Sequence, residues 1–146
     1  MGKALFRIVF ALFVLTFIGI QYIEVDRTNP QVKADLNAPL EIKNIFKTAC
    51  YDCHSYETKW PWYSKVAPIS WLVVDDVNEG RKHLNFSEWG TLYSGKREEL
   101  KKKIWEQVAT EEMPLTIYTY LHPNAKLELS MKNIIKKWAV GNSYWK

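Results

Sequence analysis

The chain holds two cysteines, and both lie in one five-residue string, Cys50-Tyr51-Asp52-Cys53-His54. Nothing else in its 146 residues restricts the fold as strongly. Thiols three positions apart on a helical turn project to one side, and the residue after the second is brought up beside them. With no further thiol there is no disulfide framework to build, so both must be committed to each other or to a bound group.

Three chemistries use such a pair. A thioredoxin-like redox pair expects a βαβ context, and no strand pattern surrounds the motif. A structural zinc site needs four ligands, but His83 and His122 do not form the spaced second half of one. The third fits: Cys-x-x-Cys-His is the signature of covalent c-type haem attachment. Each thiol adds to one vinyl group, and the adjacent imidazole is placed beneath the iron. On this reading Cys50 and Cys53 tether a single haem c, and His54 is its proximal ligand.

Met113 leads the candidates for the opposite iron position, because Pro114 stops a helix there and holds the thioether in an irregular loop. His83 follows, in the polar turn Arg81-Lys82-His83. His122, before Pro123, and Met131, on the apolar stripe of a helix, are weaker. Trp60, Trp62, Tyr63 and Trp71 crowd the stretch after His54, as partners for a large flat apolar ring. One indole N–H, the Tyr63 hydroxyl or Arg81 would bond a haem propionate. A carbonyl near Pro61 or Pro68 would accept the His54 ring N–H and fix its tautomer.

Lys3 and Arg7 precede an apolar run that ends near Ile23, long enough to cross a hydrocarbon core of roughly 30 Å. The basic flank keeps that end in the cytoplasm and sends the rest outside. A cleaved signal peptide is the rival, but no Ala-x-Ala site follows Ile20-Gln21-Tyr22-Ile23-Glu24. Residues 1–24 therefore read as an anchor in the inner membrane, 25–38 as a polar tether and 39–146 as the periplasmic domain. The net charge of +4 supports no nucleic-acid role, and no reader motif is present. The lysine runs at 101–103 and 136–137 read as solvated helix faces.

The domain reads as all-α. Helices are expected from about Pro39 to Ala49, with Ile42, Ile45, Phe46 and Ala49 on one face, and from Pro68 to a stop before Gly80. The second would bury Ile69, Leu72, Val73 and Val77. Another, from Gly95 to Thr110, places Leu100, Ile104 and Val108 in register. The last, capped by Ser130, runs to Val140 with Met131, Ile134, Ile135 and Trp138 inward. Leu115 to Leu121 could be locally extended. Asp75-Asp76-Val77-Asn78-Glu79-Gly80 fails as a calcium loop, since no register puts acidic ligands at the first, third and fifth positions.

The chain resembles small single-haem cytochromes c in Phe46, Met113-Pro114 and the Ile134–Trp138 helix. More narrowly it resembles the bacterial haem-binding domain family of short anchored proteins. The matching residues include Cys50–Ser55, Thr58–Tyr63, Ala67-Pro68, Trp71, Val77–Arg81, Phe86–Trp89 and Glu112–Leu115. The resemblance implies a cytochrome c-like fold, ligation by His54 and Met113, and electron transfer with a redox partner protein. The function expected is thus a one-electron carrier rather than an enzyme. A haem sensor with a displaceable distal ligand is the alternative, and a peroxidase with an open sixth position is a third.

Overall fold

Helix α1 (Gly2–Ile20) is apolar on every side beyond Arg7 and buries none of its residues against the rest of the chain. An 18-residue window of its 19 residues has a mean hydropathy of 2.1, so it is long and apolar enough to cross a membrane. The computed structural model describes residues 2–141, and among them every regular element is a helix or a short 3-10 turn. The expectation of an all-helical domain behind an apolar N-terminal helix holds.

Three of the remaining helices follow the sequence periodicity. Helix α2 (Leu40–Ala49) buries Ile42, Ile45, Phe46 and Ala49. After α3 (Tyr51–His54) and α4 (Ile69–His83), helix α5 (Ser94–Ala109) buries Leu100, Ile104 and Val108. Helix α6 (Thr116–Leu121) is followed by α7 (Leu129–Val140), which buries Ile135 and Ala139 and lays Met131, Ile134 and Trp138 against the same core. Helix α7 packs on both α2 and α5.

Aromatic rings fill the space where these helices meet. Phe46 stacks on Phe86 at 5.0 Å and meets Trp138 edge-on at 5.3 Å. Tyr51 stacks on the other side of Phe86 at 5.1 Å. Phe86 and Trp89 come from a 3-10 segment, Phe86–Thr91, that ordinary periodicity does not reveal.

Several local expectations are corrected. Helix α4 runs through Gly80 to His83 rather than stopping before it. Its buried side is Ser70, Val74 and Val77, while Ile69 and Leu72 face outward. The 70, 74, 77 spacing is as good a helical stripe as 69, 72, 73, 77, and small Ser70 lets the helix sit closer to its neighbours. Leu115–Leu121 is not extended, because helix α6 begins at Thr116. Helix α7 starts one residue before Ser130, with Glu128 flanking it.

The polar stretch before α2 is fastened along the domain. The backbone N–H groups of Lys33 and Ala34 both donate to the Ser87 carbonyl, at 3.1 and 3.0 Å, and Gly90 N–H donates to the Ala34 carbonyl. Leu36 is 1% exposed and belongs to the core. A segment with one well-placed leucine and several backbone donors gains enough by docking to forgo a tether's freedom.

Candidate cofactor site

The last four residues of the pentad form their own short helix, α3, with Cys50 joining it to the end of α2. Cys53 and His54 N–H both donate to the Cys50 carbonyl, at 3.2 and 2.9 Å. That turn puts both thiols and the imidazole on one ridge. Burial pushes the Cys50 thiol up to about 12 and the Cys53 thiol up to about 11. A reactive redox cysteine needs the opposite shift, so a thioredoxin-like pair loses support on chemical grounds. Among the described residues no group of three or more His, Cys, Asp or Glu side chains could hold a metal ion, which counts against a zinc site.

His54 is oriented from an unexpected direction. Its Nδ1 lies 2.9 Å from the Gly80 carbonyl and 3.1 Å from the Leu84 carbonyl. Two carbonyls can only accept, so Nδ1 carries the proton and Nε2 keeps its lone pair. Carbonyls near Pro61 and Pro68 were expected here, and the C-terminal end of α4 supplies them instead. Burial also lowers the His54 pKa, which keeps the ring neutral and basic at Nε2.

Gly80 explains how α4 comes close enough. A Cβ there would meet the Cys53 carbonyl oxygen at 2.7 Å and its carbonyl carbon at 3.2 Å. Only a hydrogen fits between the α4 backbone and the motif. A glycine inside a helix costs about 1 kcal/mol, and that cost is the sequence signal of close approach that a helix-end reading overlooks.

The chain after the motif is bonded back onto it. Thr58 Oγ1 donates to the Asp52 carbonyl at 2.8 Å, and Lys59 N–H donates to Asp52 Oδ1 at 3.0 Å. Arg81 turns its guanidinium to the Ser55 carbonyl, the Thr28 carbonyl, Asn29 Oδ1 and Thr58 Oγ1. It thus ties α4, this loop and the strap before α2 together.

From the far end of the sequence, Tyr118 donates to the other Asp52 oxygen at 2.8 Å. The Tyr63 hydroxyl and His122 Nε2 share a hydrogen bond of 2.7 Å, and His122 stacks on Tyr118. Burial and the bond to Asp52 raise the Tyr118 pKa, so its hydroxyl stays a donor. These bonds hold helix α6 and His122 against the segment that carries the motif. Met113 is half-buried, its N–H donating to the Gln107 carbonyl at 3.1 Å. Sequence spacing alone did not reveal the Asp52–Tyr118 link, which joins residues 66 positions apart.

Of the other candidates, His83 has an exposed side chain beside Glu79. Met131 packs against the core from α7. Trp62 is 76% exposed, its ring edge-on to Tyr63. Trp60 and Trp71 differ from it sharply. The Nε1 atom of each is buried and has no hydrogen-bond partner among the described residues. An unsatisfied buried donor costs roughly 1–3 kcal/mol, so two of them on segments packed around the motif mark a place made for an acceptor.

No curated protein and no solved structure matches the chain. A family model described as a haem-binding domain matches residues 15–140, and the chain therefore belongs to the haem-binding domain family.

Proposed function

We propose that the protein is a membrane-anchored c-type cytochrome that carries one electron between redox partner proteins outside the cytoplasm. The observation that supports this most is the state of His54. Its Nδ1 proton is held by two backbone carbonyls, so Nε2 is unprotonated and fixed in direction on the same turn as two thiols. That is the donor set and tautomer a covalently held haem iron requires.

The residues fit the group. Cys50 and Cys53 would hold it as thioethers, and His54 Nε2 and the Met113 sulfur would ligate its iron. Trp60 and Trp71 would direct their unpartnered N–H groups to its propionates. When bound, the haem supplies an iron that cycles between ferric and ferrous forms. The chain contributes rigidity: Gly80 and Leu84 keep the imidazole from turning, and Tyr118 holds helix α6, which follows Met113, against Asp52. Fixed ligands lower the rearrangement that accompanies gain or loss of the electron. Helix α1, uncleaved, would keep the domain at the inner membrane on its periplasmic side.

The test is a haem-linked peroxidase stain on denaturing gels together with absorption spectra of the purified full chain in both redox states. Stain that survives denaturation, a far-red ferric band lost in Met113→Ala, and little carbon monoxide binding are expected. Absence of stain in protein made with haem-attachment machinery would refute the covalent haem. Ready carbon monoxide binding would refute the closed His54/Met113 carrier.

A further inference from the structure

The end of α1 does not dangle from the domain. The Gln21 side chain completes both backbone groups of Ala67: Ala67 N–H donates to Gln21 Oε1 at 3.0 Å, and Gln21 Nε2 donates to the Ala67 carbonyl at 3.1 Å. The same Nε2 donates to the Phe17 carbonyl at 2.9 Å, so the clip includes the helix's own last turn. Six residues on, Arg27 Nη1 donates to the Ser64 carbonyl at 3.3 Å. The domain is therefore fixed to the helix at residues 64–67, not at an arbitrary point.

That attachment sets a depth. At 1.5 Å per residue the helix is about 28 Å long, close to the thickness of a hydrocarbon core. If Lys3 lies at one interface, Gln21 lies at the other, and Ala67 cannot be farther from the lipid than one hydrogen bond allows. The surface flanking Ala67 is apolar. Trp62, in the 3-10 turn Trp62–Lys65, is largely exposed, and Ile69 and Leu72 are 47% and 67% exposed on one outward stripe of α4. Tyr22 and Ile23, which follow Gln21 in the chain, are exposed as well, and exposed Lys65 stands two residues before Ala67. Tryptophan, tyrosine and lysine at the level of the headgroups, with aliphatic side chains below, are what an interfacial belt is made of.

We infer that the face formed by Trp62, Ile69 and Leu72 is seated in the outer headgroup layer of the membrane that α1 spans. The inference rests on the reading of α1 as an uncleaved span. It places the domain against the bilayer in one orientation. A redox partner then meets a restricted set of its faces, and membrane-embedded partners and membrane-surface partners are favoured over freely diffusing ones.

Leu72 and Leu129 make the comparison that tests it, since they are the same residue type with similar exposure, 67% and 75%. The full chain is placed in phosphatidylcholine–phosphatidylglycerol nanodiscs, exposed to hydroxyl radicals and read by mass spectrometry. A side chain sunk into the headgroup boundary should be oxidised at least about fivefold less than one facing water, so Leu72 falls well below Leu129. Equal oxidation of the two leucines in disc-borne protein would overturn the seating and leave the anchor intact. Protein that elutes apart from the discs would overturn both. Protection of Leu72 that grows with the number of chains per disc would assign the face to a second copy and overturn the lipid assignment.

Discussion

Two sides of the domain are finished in different ways. Where α2, α5 and α7 meet, the interior is closed by side chains alone, with Phe46, Phe86 and Ile135 almost fully buried and the rings interlocked. Where α3 and α4 meet, the closure is polar and backbone-led. There Gly80 brings a bare backbone against Cys53, two carbonyls hold His54, and two indole N–H groups have no acceptor among the described residues. The first side could belong to any small helical domain. The second carries chemistry that its own residues do not complete, and that asymmetry points to a large apolar partner with acceptor groups of its own.

The sharpest way to break this contrast is to damage the first side and look for an effect on the second. Phe46→Ala removes a ring from between Phe86 and Trp138 and should cost about 3–5 kcal/mol of stability. Chemical denaturation of the full chain in detergent measures it. The spectrum of the folded fraction should stay that of the parent. A changed axial-ligand band in folded Phe46→Ala would show that the two sides are not separate.

Gly80→Ala is the mirror experiment. Its Cβ would press on the Cys53 carbonyl, which is backbone and cannot swing aside, so a loss of about 1–3 kcal/mol is expected. The larger consequence should be spectral, because moving α4 moves both acceptors of the His54 proton. Gly95→Ala is the control: the nearest atoms are on the exposed ring of Tyr93, and the change should be neutral or stabilising by up to about 1 kcal/mol. Equal effects at the two glycines would remove close approach as the reason for Gly80.

The same contrast explains what could be read from the sequence. Repeating apolar positions specify α2 and α5 almost residue by residue, because hydrophobic periodicity is what packs those helices. The pentad is legible as a donor set, because its spacing alone brings two thiols and an imidazole close together along one turn of chain. What failed were positions where one residue serves a distant partner. Ile69 and Leu72 look like core only if α4 turns that face inward, and it turns Ser70, Val74 and Val77 instead. Gly80 looks like a helix end because its purpose lies 27 positions away, at Cys53. Phe86 and Trp89 sit in a 3-10 turn with no repeat to betray them. The Leu115–Leu121 stretch is rich in tyrosine and threonine, which suit strands. It becomes a helix that lets Tyr118 reach Asp52.

Tyr118→Phe sharpens the comparison at smaller scale. It keeps the ring against His122 and deletes one hydroxyl, which should cost about 1–2 kcal/mol since the Asp52 oxygen loses its donor. If this bond helps hold the Met113 side in place, carbon monoxide should combine faster with the reduced variant than with the parent, followed by flash photolysis. An unchanged rate would separate Tyr118 from the distal side.

The smallest expected effect lies on the first side, at a polar fastening between the strap and α2. Asp35 accepts from the Tyr51 hydroxyl at 2.8 Å and pairs with Lys43 at 2.6 Å. Burial alone would raise its carboxyl, but the bonds from Lys43, Tyr51 and Leu36 N–H outweigh it and hold the group below its ordinary 3.8. A carboxylate with a lowered folded-state pKa stabilises the fold above that ordinary value, and the contribution disappears as the pH falls through the lowered one. The parent should therefore lose stability below about pH 4 more steeply than Asp35→Asn, with a difference under about 1 kcal/mol because the pair is open to solvent. Denaturation midpoints taken from pH 7 down to pH 3 measure it. Parallel curves would mean that the Asp35 carboxylate does not help hold the strap, which would then rest on Leu36, its backbone bonds and the Lys33–Glu88 pair.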